Sequence, residues 1–456
     1  MITREPEVKI AEETLRFLNP AEHHPEGKVD GPPKRLRPSM TRWVGKEMLD
    51  EDPEWDNILL SQGQDDLRED YDDPEAKYEE ELERLSLAAE LKHNYTLSHD
   101  DVVDNDDTRR GAPTVWRGLA DWLEEDMGYE EEEAVQKGQD LAINLGDWLN
   151  DISTLLVTKS DFTFEKRVKM LEYLQEGGAR IAQGQDKDLK MEDVPNDDLN
   201  GSGSVSPMTR HLKGEDGSAR NLYLDMIEKK TSVLYGTSAG IGALAADADE
   251  EEIEEVARYG TAGALAFQIR DDMNELLNAA EYGLDSGDLG KKATDVPNGK
   301  TTLAYETALE NTRERLEELE QYEDGEVDAM VRRLELEQQG LEPDEIDERI
   351  EDEYGEAGYG QNPGTGVSRL KDEKRPVEHD TIMLQEAYGD EDLTSDQVKD
   401  VAQRILSRQS AEDLYDDCSR VAEDALQNLG IEYEADKRSE SEALYGLVEF
   451  MQNRDW

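Results

Sequence analysis

The sequence predicts an all-α protein that forms one large helical domain, and three observations support this fold class. Apolar residues recur at helical spacing, as in Leu82, Leu85 and Ala89 and again over residues 141–149, which is the pattern of one buried helix face. Alternating β-branched runs between turns, which would indicate strands, are missing from the sequence. Length and composition agree, because 456 residues with 36% apolar content are enough to form a core.

Three segments interrupt the helical pattern, and we expect them to be surface insertions into one domain that spans residues 1–456. Residues 51–80 are dominated by acids and turn formers, residues 195–218 contain Asn-Gly-Ser-Gly-Ser, and residues 322–393 are charged around a Gly-rich centre. Gly, Ser, Asn and Pro favour loops over helices. For the third segment, a separate small domain is the alternative.

The charge of the chain restricts its partners and its environment. With 113 acidic and 50 basic residues the net charge is −63, and such a chain repels itself at ordinary salt. At about 1 M salt the Debye length falls to roughly 3 Å and screens this repulsion, so we expect a halophilic protein. A nucleic acid partner is not expected, because binding a phosphate backbone requires a basic stripe. An anionic membrane surface is disfavoured for the same reason.

Cysteine usage and hydropathy indicate a cytoplasmic protein without a membrane span. Cys418 is the only cysteine, which excludes an intrachain disulfide and is compatible with a reducing compartment. Residues 1–19 are charged throughout and lack the apolar core of a signal peptide. The most apolar stretch, residues 232–246, is too short and too rich in glycine to span a bilayer.

Acidic clusters alone carry little information in this chain, whereas basic clusters carry more. Acids make up about a quarter of the residues, so about seven DDxxD-like clusters are expected by chance. Three basic residues in a fixed pattern occur by chance at under about one position in 700. Residues 31–38 contain such a pattern, in which Lys34 and Arg37 are three apart and share a helix face. This pairing favours an anion clamp.

The first informative acidic cluster follows a long helical pattern. At about 100° per residue, His93, Asp100 and Asp104 lie within roughly 20° of one direction on a helix, and Asp101 lies a further 60–80° round. Arg109 and Arg110 follow directly. Carboxylates at this spacing can hold Mg²⁺, and the guanidiniums can hold phosphate oxygens that share the metal.

The second informative cluster is Asp271, Asp272 and Glu275, in which Asp271 and Glu275 share a face at i, i+4. A stretch of small apolar residues precedes it, which predicts a buried helix ending in acids. Basic residues also stand near other predicted helix ends, namely Lys229, Lys230, Lys291, Lys292 and Lys300. Together these clusters indicate a cavity in which metal-bridged diphosphates are clamped.

In these motifs the chain resembles the trans-isoprenyl diphosphate synthases of the polyprenyl synthetase family. Residues 31–38 resemble the family's GGKRxRP, residues 100–111 its first Asp-rich motif with the trailing RRG, and residues 184–189 its GQxxDL. Lys230-Thr231 resembles its KT, and residues 267–272 resemble its second Asp-rich motif. The order and spacing of the motifs match across most of the chain, including the C-terminal Asn-Arg-Asp ending, and the three insertions fall outside the resemblance.

The resemblance implies an all-helical bundle around a deep cavity, a homodimer, Mg²⁺ as cofactor, and isopentenyl diphosphate and an allylic diphosphate as substrates. The residues implied for isopentenyl diphosphate are Lys34, Arg37, His93 and Arg110. Those implied for the allylic diphosphate are Arg109, Lys230, Thr231, Gln268, Lys291 and Lys300. Those implied around the metal ions are Asp100, Asp101, Asp104, Asp271 and Glu275, with Asp272 beside them.

Two departures from the family pattern affect these sites. Pro32 and Pro33 stand where the family has a second glycine and stiffen the loop before Lys34. Glu275 stands where Asp is usual, and its longer side chain shifts or weakens one metal contact.

The implied reaction is a Mg²⁺-assisted ionisation of the allylic diphosphate, followed by condensation with isopentenyl diphosphate and loss of a proton. The residues five and four positions before the first motif, Tyr95 and Thr96, are implied to set product length. A single aromatic residue there resembles the archaeal geranylgeranyl type, so a C20 product is expected. C15, C25 and longer products stay open.

Three other interpretations compete with a synthase. A terpene cyclase or a head-to-head condensing enzyme would not need the second diphosphate site of Lys34, Arg37 and His93. A non-catalytic regulatory homologue would be favoured by degraded motifs, to which only Glu275 points. A protein whose motifs are accidental is disfavoured by the basic clusters.

Overall fold

In the computed structural model, the described residues are 35–60, 73–109, 112–193, 219–284, 296, 302–320, 336, 349, 384, 393–409, 411–431 and 443–446. The chain divides into two compact units, residues 1–270 with 414–456, and residues 271–413. The prediction of an all-α fold is confirmed, since the described chain is helical apart from one short antiparallel pair of two-residue strands.

The first unit begins with α1 (Leu36–Glu47), α2 (Trp55–Ile58) and α3 (Pro74–Val103), followed by β1 (Thr108–Arg109) and β2 (Ala112–Pro113). Next come α4 (Val115–Glu125), α5 (Glu131–Thr158), α6 (Phe164–Asp193) and α7 (Ala219–Ile227). A π-helical turn, Glu228–Ser232, leads into α8 (Val233–Ala245), and α9 (Glu250–Tyr282) follows. Most of α12 (Ala411–Asn428) also belongs to this unit.

The long helix α3 organises the first unit. It begins where the Asp73 carboxylate accepts a hydrogen bond of 3.1 Å from Ala76 N, with Pro74 in its first turn. Two serine hydroxyl groups form hydrogen bonds between α3 and α5. Ser98 Oγ donates to Ala142 O (2.9 Å) and Ser153 Oγ donates to Ala88 O (2.8 Å), so the two helices run antiparallel. An apolar cluster fills the space between α3, α4 and α5.

The helix α8 is the buried centre of the first unit. All thirteen of its residues are buried, and it packs against α1 and α6. Such complete burial explains why this stretch is the most apolar in the sequence. No helix in the described part of the chain is both long enough and apolar enough to cross a membrane.

The second unit contains the end of α9, then α10 (Leu303–Glu320) and α11 (Ser395–Arg408), which pack on each other. Gly283, with φ of 69°, ends α9, and Ser395 Oγ accepts a hydrogen bond of 3.0 Å from Leu284 N beside it. Thr394 and Gln397 form a capping box at the start of α11.

The predicted insertions fall largely outside the described residues. Residues 195–218 lie wholly outside them, and of residues 322–393 only Leu336, Arg349, Leu384 and Leu393 are described. Both ends of the segment 51–80 belong to the packed first unit. Leu59 is buried and forms an isolated antiparallel β-bridge with Phe162. The hydroxyl group of the buried Tyr78 donates a hydrogen bond of 2.6 Å to Gly45 O. These ends therefore contribute to the core rather than to a surface loop.

Candidate active site

The end of α3 carries the first acidic cluster. Asp104 closes the helix, and Asn105 then adopts a left-handed conformation with φ of 54°, which Asn tolerates better than most residues. The chain reverses here and leads into β1, which pairs with β2 so that Arg109 lies opposite Ala112. The reversal returns Arg109 to the carboxylates that precede it by a few residues.

Arg109 pairs with two of these carboxylates. Its Nε lies 2.5 Å from Asp101 Oδ1, and its Nη2 lies 3.4 Å from Asp100 Oδ2. Burial alone would lower the pKa of Arg109, but the two aspartates outweigh it and raise that pKa. The guanidinium is therefore a permanent positive charge inside the cluster.

Asp101 is the buried member of the cluster. Its side chain is inaccessible to solvent, its backbone oxygen accepts a hydrogen bond of 3.0 Å from Trp116 Nε1, and its Oδ2 is buried without a hydrogen-bond partner among the described residues. Burial raises the pKa of Asp101 to about 6, although Arg109 opposes the shift. A buried carboxylate oxygen without a donor is a ready ligand for a cation.

Asp100 and Asp104 face a different set of partners. Lys230 Nζ lies 3.3 Å from Asp100 Oδ1 and also donates to Asp188 Oδ2 of α6. Gln185 Nε2, one turn earlier on α6, lies 3.4 Å from Asp104 Oδ1. Burial alone would lower the pKa of Lys230, but Asp100 and Asp188 raise it overall. Lys230 is therefore charged and bridges α3 and α6.

The π-helical turn places Lys230 and Thr231 against α6 at very short range. A Cβ atom at Gly184 would lie 2.3 Å from Lys230 N, so only glycine allows this backbone approach. π-helical turns are often found at functional sites. Here the turn brings the lysine to the carboxylates of α3.

The remaining predicted residues of the first unit lie on α1, α3 and α9. Arg37, in the first turn of α1, is half-buried, and its guanidinium carbon lies 4.2 Å from the ring centroid of Tyr235. His93 is half-buried, and its backbone oxygen accepts a hydrogen bond of 2.7 Å from Thr96 Oγ1. Tyr95 packs against the apolar cluster and meets His99 edge to face at 5.3 Å. Gln268 is half-buried on α9.

The second acidic cluster lies on the last part of α9, in the second unit. Asp272 is buried, whereas Asp271 and Glu275 are half-buried and share a helix face. The predicted site residues that lie outside the described residues are Lys34, Arg110, Lys291 and Lys300.

The first cluster fits Mg²⁺ by its donor chemistry, since its ligands are carboxylate oxygens and one of them, Asp101 Oδ2, is buried without a donor. Among the described residues no three acidic, His or Cys side chains are arranged to hold a metal ion as they stand. In the first cluster Arg109 pairs with Asp100 and Asp101, and Lys230 pairs with Asp100, so these side chains supply positive charge beside the carboxylates.

The roles of Gly184, Gln185 and Asp188 were not predicted from the sequence, although they belong to the quoted GQxxDL motif. Asp188 is four residues after Gly184 and three after Gln185, a spacing that places all three on one side of α6, and that side meets both the carboxylates of α3 and Lys230. A shared helix face was the signal that could have identified them.

Comparison with known proteins supports the resemblance. The family model described as polyprenyl synthetase matches residues 29–335. A short chain isoprenyl diphosphate synthase of Methanocaldococcus jannaschii is 33% identical over 245 residues, which is 53% of this chain and 61% of that protein. A geranylfarnesyl diphosphate synthase of Natronomonas pharaonis is 28% identical over 278 residues, which is 60% of this chain and 64% of that protein.

The chain thus matches less than two thirds of the length of either relative. Among solved structures, the geranylgeranyl pyrophosphate synthetase from the archaeon Geoglobus acetivorans superposes with a TM-score of 0.53 at 18% identity, with 100% of both chains covered. At this identity the likeness supports the fold alone.

Proposed function

Because the chain belongs to the polyprenyl synthetase family, we propose that it is a Mg²⁺-dependent prenyltransferase that condenses isopentenyl diphosphate with an allylic diphosphate. The observation that carries the proposal is the cluster at the end of α3, where Asp100 meets both Arg109 and Lys230. Carboxylates for a metal and cations for phosphate oxygens are interleaved there, as a metal-bridged diphosphate requires.

Mg²⁺ bound by Asp100, Asp101 and Asp104, and by Asp271 and Glu275, would neutralise the leaving diphosphate and favour cleavage of its carbon–oxygen bond. Arg109, Lys230, Thr231 and Gln268, with Lys291 and Lys300, bind and orient the allylic diphosphate, and Asp272 lies beside the second set of metal ligands. Lys34, Arg37, His93 and Arg110 hold isopentenyl diphosphate.

The reaction balances without a side-chain base. As the allylic carbon–oxygen bond breaks, the electron pair leaves with the diphosphate, and the isopentenyl double bond forms the new carbon–carbon bond. The resulting cation loses a proton to the departing diphosphate. Arg109 and Lys230, both charged by virtue of their aspartate partners, stabilise the leaving group throughout.

The product we propose is the C20 geranylgeranyl diphosphate, used in isoprenoid and archaeal lipid synthesis, with Tyr95 and Thr96 limiting chain length. The bulky ring of Tyr95 is held in place by the apolar cluster and by His99. It is therefore suited to close the end of the product pocket and to stop chain growth. A C25 product is the second candidate, favoured by the similarity to the N. pharaonis relative. Product analysis decides between them, and Tyr95→Ala should lengthen the product.

We also propose that the protein is a cytoplasmic homodimer that functions in high salt. The support for a dimer is a pair of exposed apolar residues on α5, Trp148 and Leu155, which share one helix face and are 53% and 48% exposed. Large apolar side chains at this exposure in a chain of charge −63 are explained if a second copy covers them.

The test is an assay of purified protein in high salt with Mg²⁺, isopentenyl diphosphate and farnesyl diphosphate. We expect a C20 diphosphate, and we expect Lys230→Met to abolish its formation because the cation at Asp100 is lost. Lys137→Met removes an exposed lysine that pairs with Glu133 on the surface of α5 (3.6 Å), and this control should keep full activity. Absence of turnover with every allylic primer would favour the non-catalytic regulatory homologue instead.

A further inference from the structure

The helices α1 and α8 are packed with their backbones in contact. A Cβ atom at Gly242 would lie 2.5 Å from Thr41 O, and one at Gly45 would lie 3.3 Å from Gly242 O. Thr41 Oγ1 donates a hydrogen bond of 3.0 Å to Ser238 O. These contacts fix the register of the two helices, so the first turn of α1 is held beside the first turn of α8.

At that end of the helix pair, Arg37 stacks on Tyr235. The guanidinium carbon lies 4.2 Å from the ring centroid, and the tyrosine is only 4% exposed. The Arg37 Nε atom is buried and has no hydrogen-bond partner among the described residues. The ring is therefore the contact that fixes the plane of this guanidinium, through a cation–π interaction at short range.

We propose that Tyr235 is a positioning residue for isopentenyl diphosphate, because its ring holds the Arg37 guanidinium ready for the phosphate oxygens. The inference rests on the proposed function, in which Arg37 binds that diphosphate. A long arginine side chain loses freedom when it binds a ligand, and a side chain that is already held in place loses less. Tyr235 should thus raise affinity without contacting the substrate.

The position of Tyr235 also links the two diphosphate sites. It lies five residues after Lys230, on the continuous helical segment formed by the π-helical turn and α8. Lys230, at the start of this segment, supplies the cation beside Asp100. Tyr235, in the following helical turns, contacts Arg37. The effect of Tyr235 is nevertheless confined to one substrate, because its ring contacts Arg37 and the lysine has its own aspartate partners.

The test measures KM for each substrate separately in Tyr235→Leu and Tyr235→Phe, together with calorimetric binding of isopentenyl diphosphate. The leucine variant loses the aromatic face and should raise KM for isopentenyl diphosphate by between about twofold and about thirtyfold. Its KM for the allylic substrate and its kcat should stay within about twofold of wild type, since neither involves Arg37. The phenylalanine variant keeps the ring and should behave as wild type.

Two comparisons separate positioning from a general packing defect. In an Arg37→Met background, Tyr235→Leu should have no further effect on KM, because the residue it acts through is gone. Tyr173→Leu is the matched control, since Tyr173 packs against α8 at Gly240 and no arginine among the described residues stacks on it, and it should leave KM for isopentenyl diphosphate unchanged.

The inference is overturned if Tyr235→Leu raises both KM values alike, or if it weakens binding equally with and without Arg37. A different outcome separates the two proposals. If the wild-type protein binds isopentenyl diphosphate but turns over no allylic primer, and Tyr235→Leu weakens that binding, the proposed reaction is contradicted and the positioning role stands. A wild-type protein that does not bind isopentenyl diphosphate would overturn both.

Discussion

Lys92 is a buried lysine whose charge the fold accommodates poorly, and its replacement should change how stability depends on pH. The residue is only 2% exposed on α3. Its Nζ donates to Asn150 Oδ1 (2.7 Å) and to Gln175 Oε1 (3.1 Å), both neutral amide oxygens, and lies 5.4 Å from the ring centroid of Tyr95. Burial lowers the pKa of Lys92 to about 8.

The size and sign of the effect follow from that pKa. In the unfolded chain the pKa is near its ordinary value of 10.5, so the folded state releases the Lys92 proton first as pH rises from about 8. Below this range both states are protonated and the folded state bears the full cost of burying the charge, about 3 kcal/mol. As pH rises towards 10.5 the cost disappears, so this group makes the protein more stable at high pH.

Lys92→Met removes the titrating group at similar volume. Urea unfolding of wild type and variant, at one fixed high salt concentration across pH 7 to 10.5, gives the difference in unfolding free energy at each pH. Against the variant, wild type should gain about 3 kcal/mol between about pH 8 and pH 10.5. At pH 7 the two should differ less than that, because the variant also leaves the half-buried Asn150 amide oxygen without its donor, which costs about 1–3 kcal/mol.

The matched control is Lys169→Met on α6, since the Lys169 side chain is 56% exposed and pairs with Glu165 at 3.2 Å. Its stability should run parallel to that of wild type over the same range. Parallel curves for Lys92→Met as well would refute the reasoning, because they would mean that Lys92 titrates alike in the folded and unfolded chain.

Three further predictions follow from the packing and the charge. Gly184→Ala should lower kcat/KM at least tenfold with little loss of helicity, because its Cβ would lie 2.3 Å from Lys230 N. The control is Gly446→Ala, which should keep wild-type kinetics because its Cβ would meet no atom of the described residues within 4 Å. Trp148→Asp should convert a dimer to a monomer in light scattering, since Trp148 is 53% exposed, and an unchanged mass would place the interface elsewhere. Dilution to low salt should abolish far-UV helicity and activity together, and helicity that persists there would contradict the inference of salt adaptation.

Helical periodicity was sufficient to predict the orientation of the first acidic cluster. The angles between positions place Asp100 and Asp104 on one face and Asp101 to its side. In the structure the first two face α6 and the π-helical turn, whereas Asp101 is buried beside Arg109 and Trp116. Local geometry predicted this much because each of these positions depends only on the twist of a single helix.

Contacts between distant parts of the chain could not be predicted in the same way. The close approach of Gly184 to Lys230 depends on how α6 packs against the π-helical turn, and no local pattern indicates that turn. The return of Arg109 depends on one left-handed residue, Asn105. Stacking of Tyr235 on Arg37 joins positions about two hundred residues apart, and nothing in either segment alone predicts it.

Because basic residues are scarce in this chain, the pairing of Arg109 and Lys230 with aspartates distinguishes the cluster at the end of α3 from other acidic clusters. In a chain with 113 acids, concentrated salt screens the repulsion between exposed carboxylates beyond roughly 3 Å. Salt cannot reach the buried carboxylate of Asp101, and it reaches Arg109, Lys230 and Asp100 only in part. These pairs therefore keep their strength where surface pairs lose theirs. Lys230→Met should stay damaging at every salt concentration that keeps the protein folded, whereas the effect of Lys137→Met should be small at all of them.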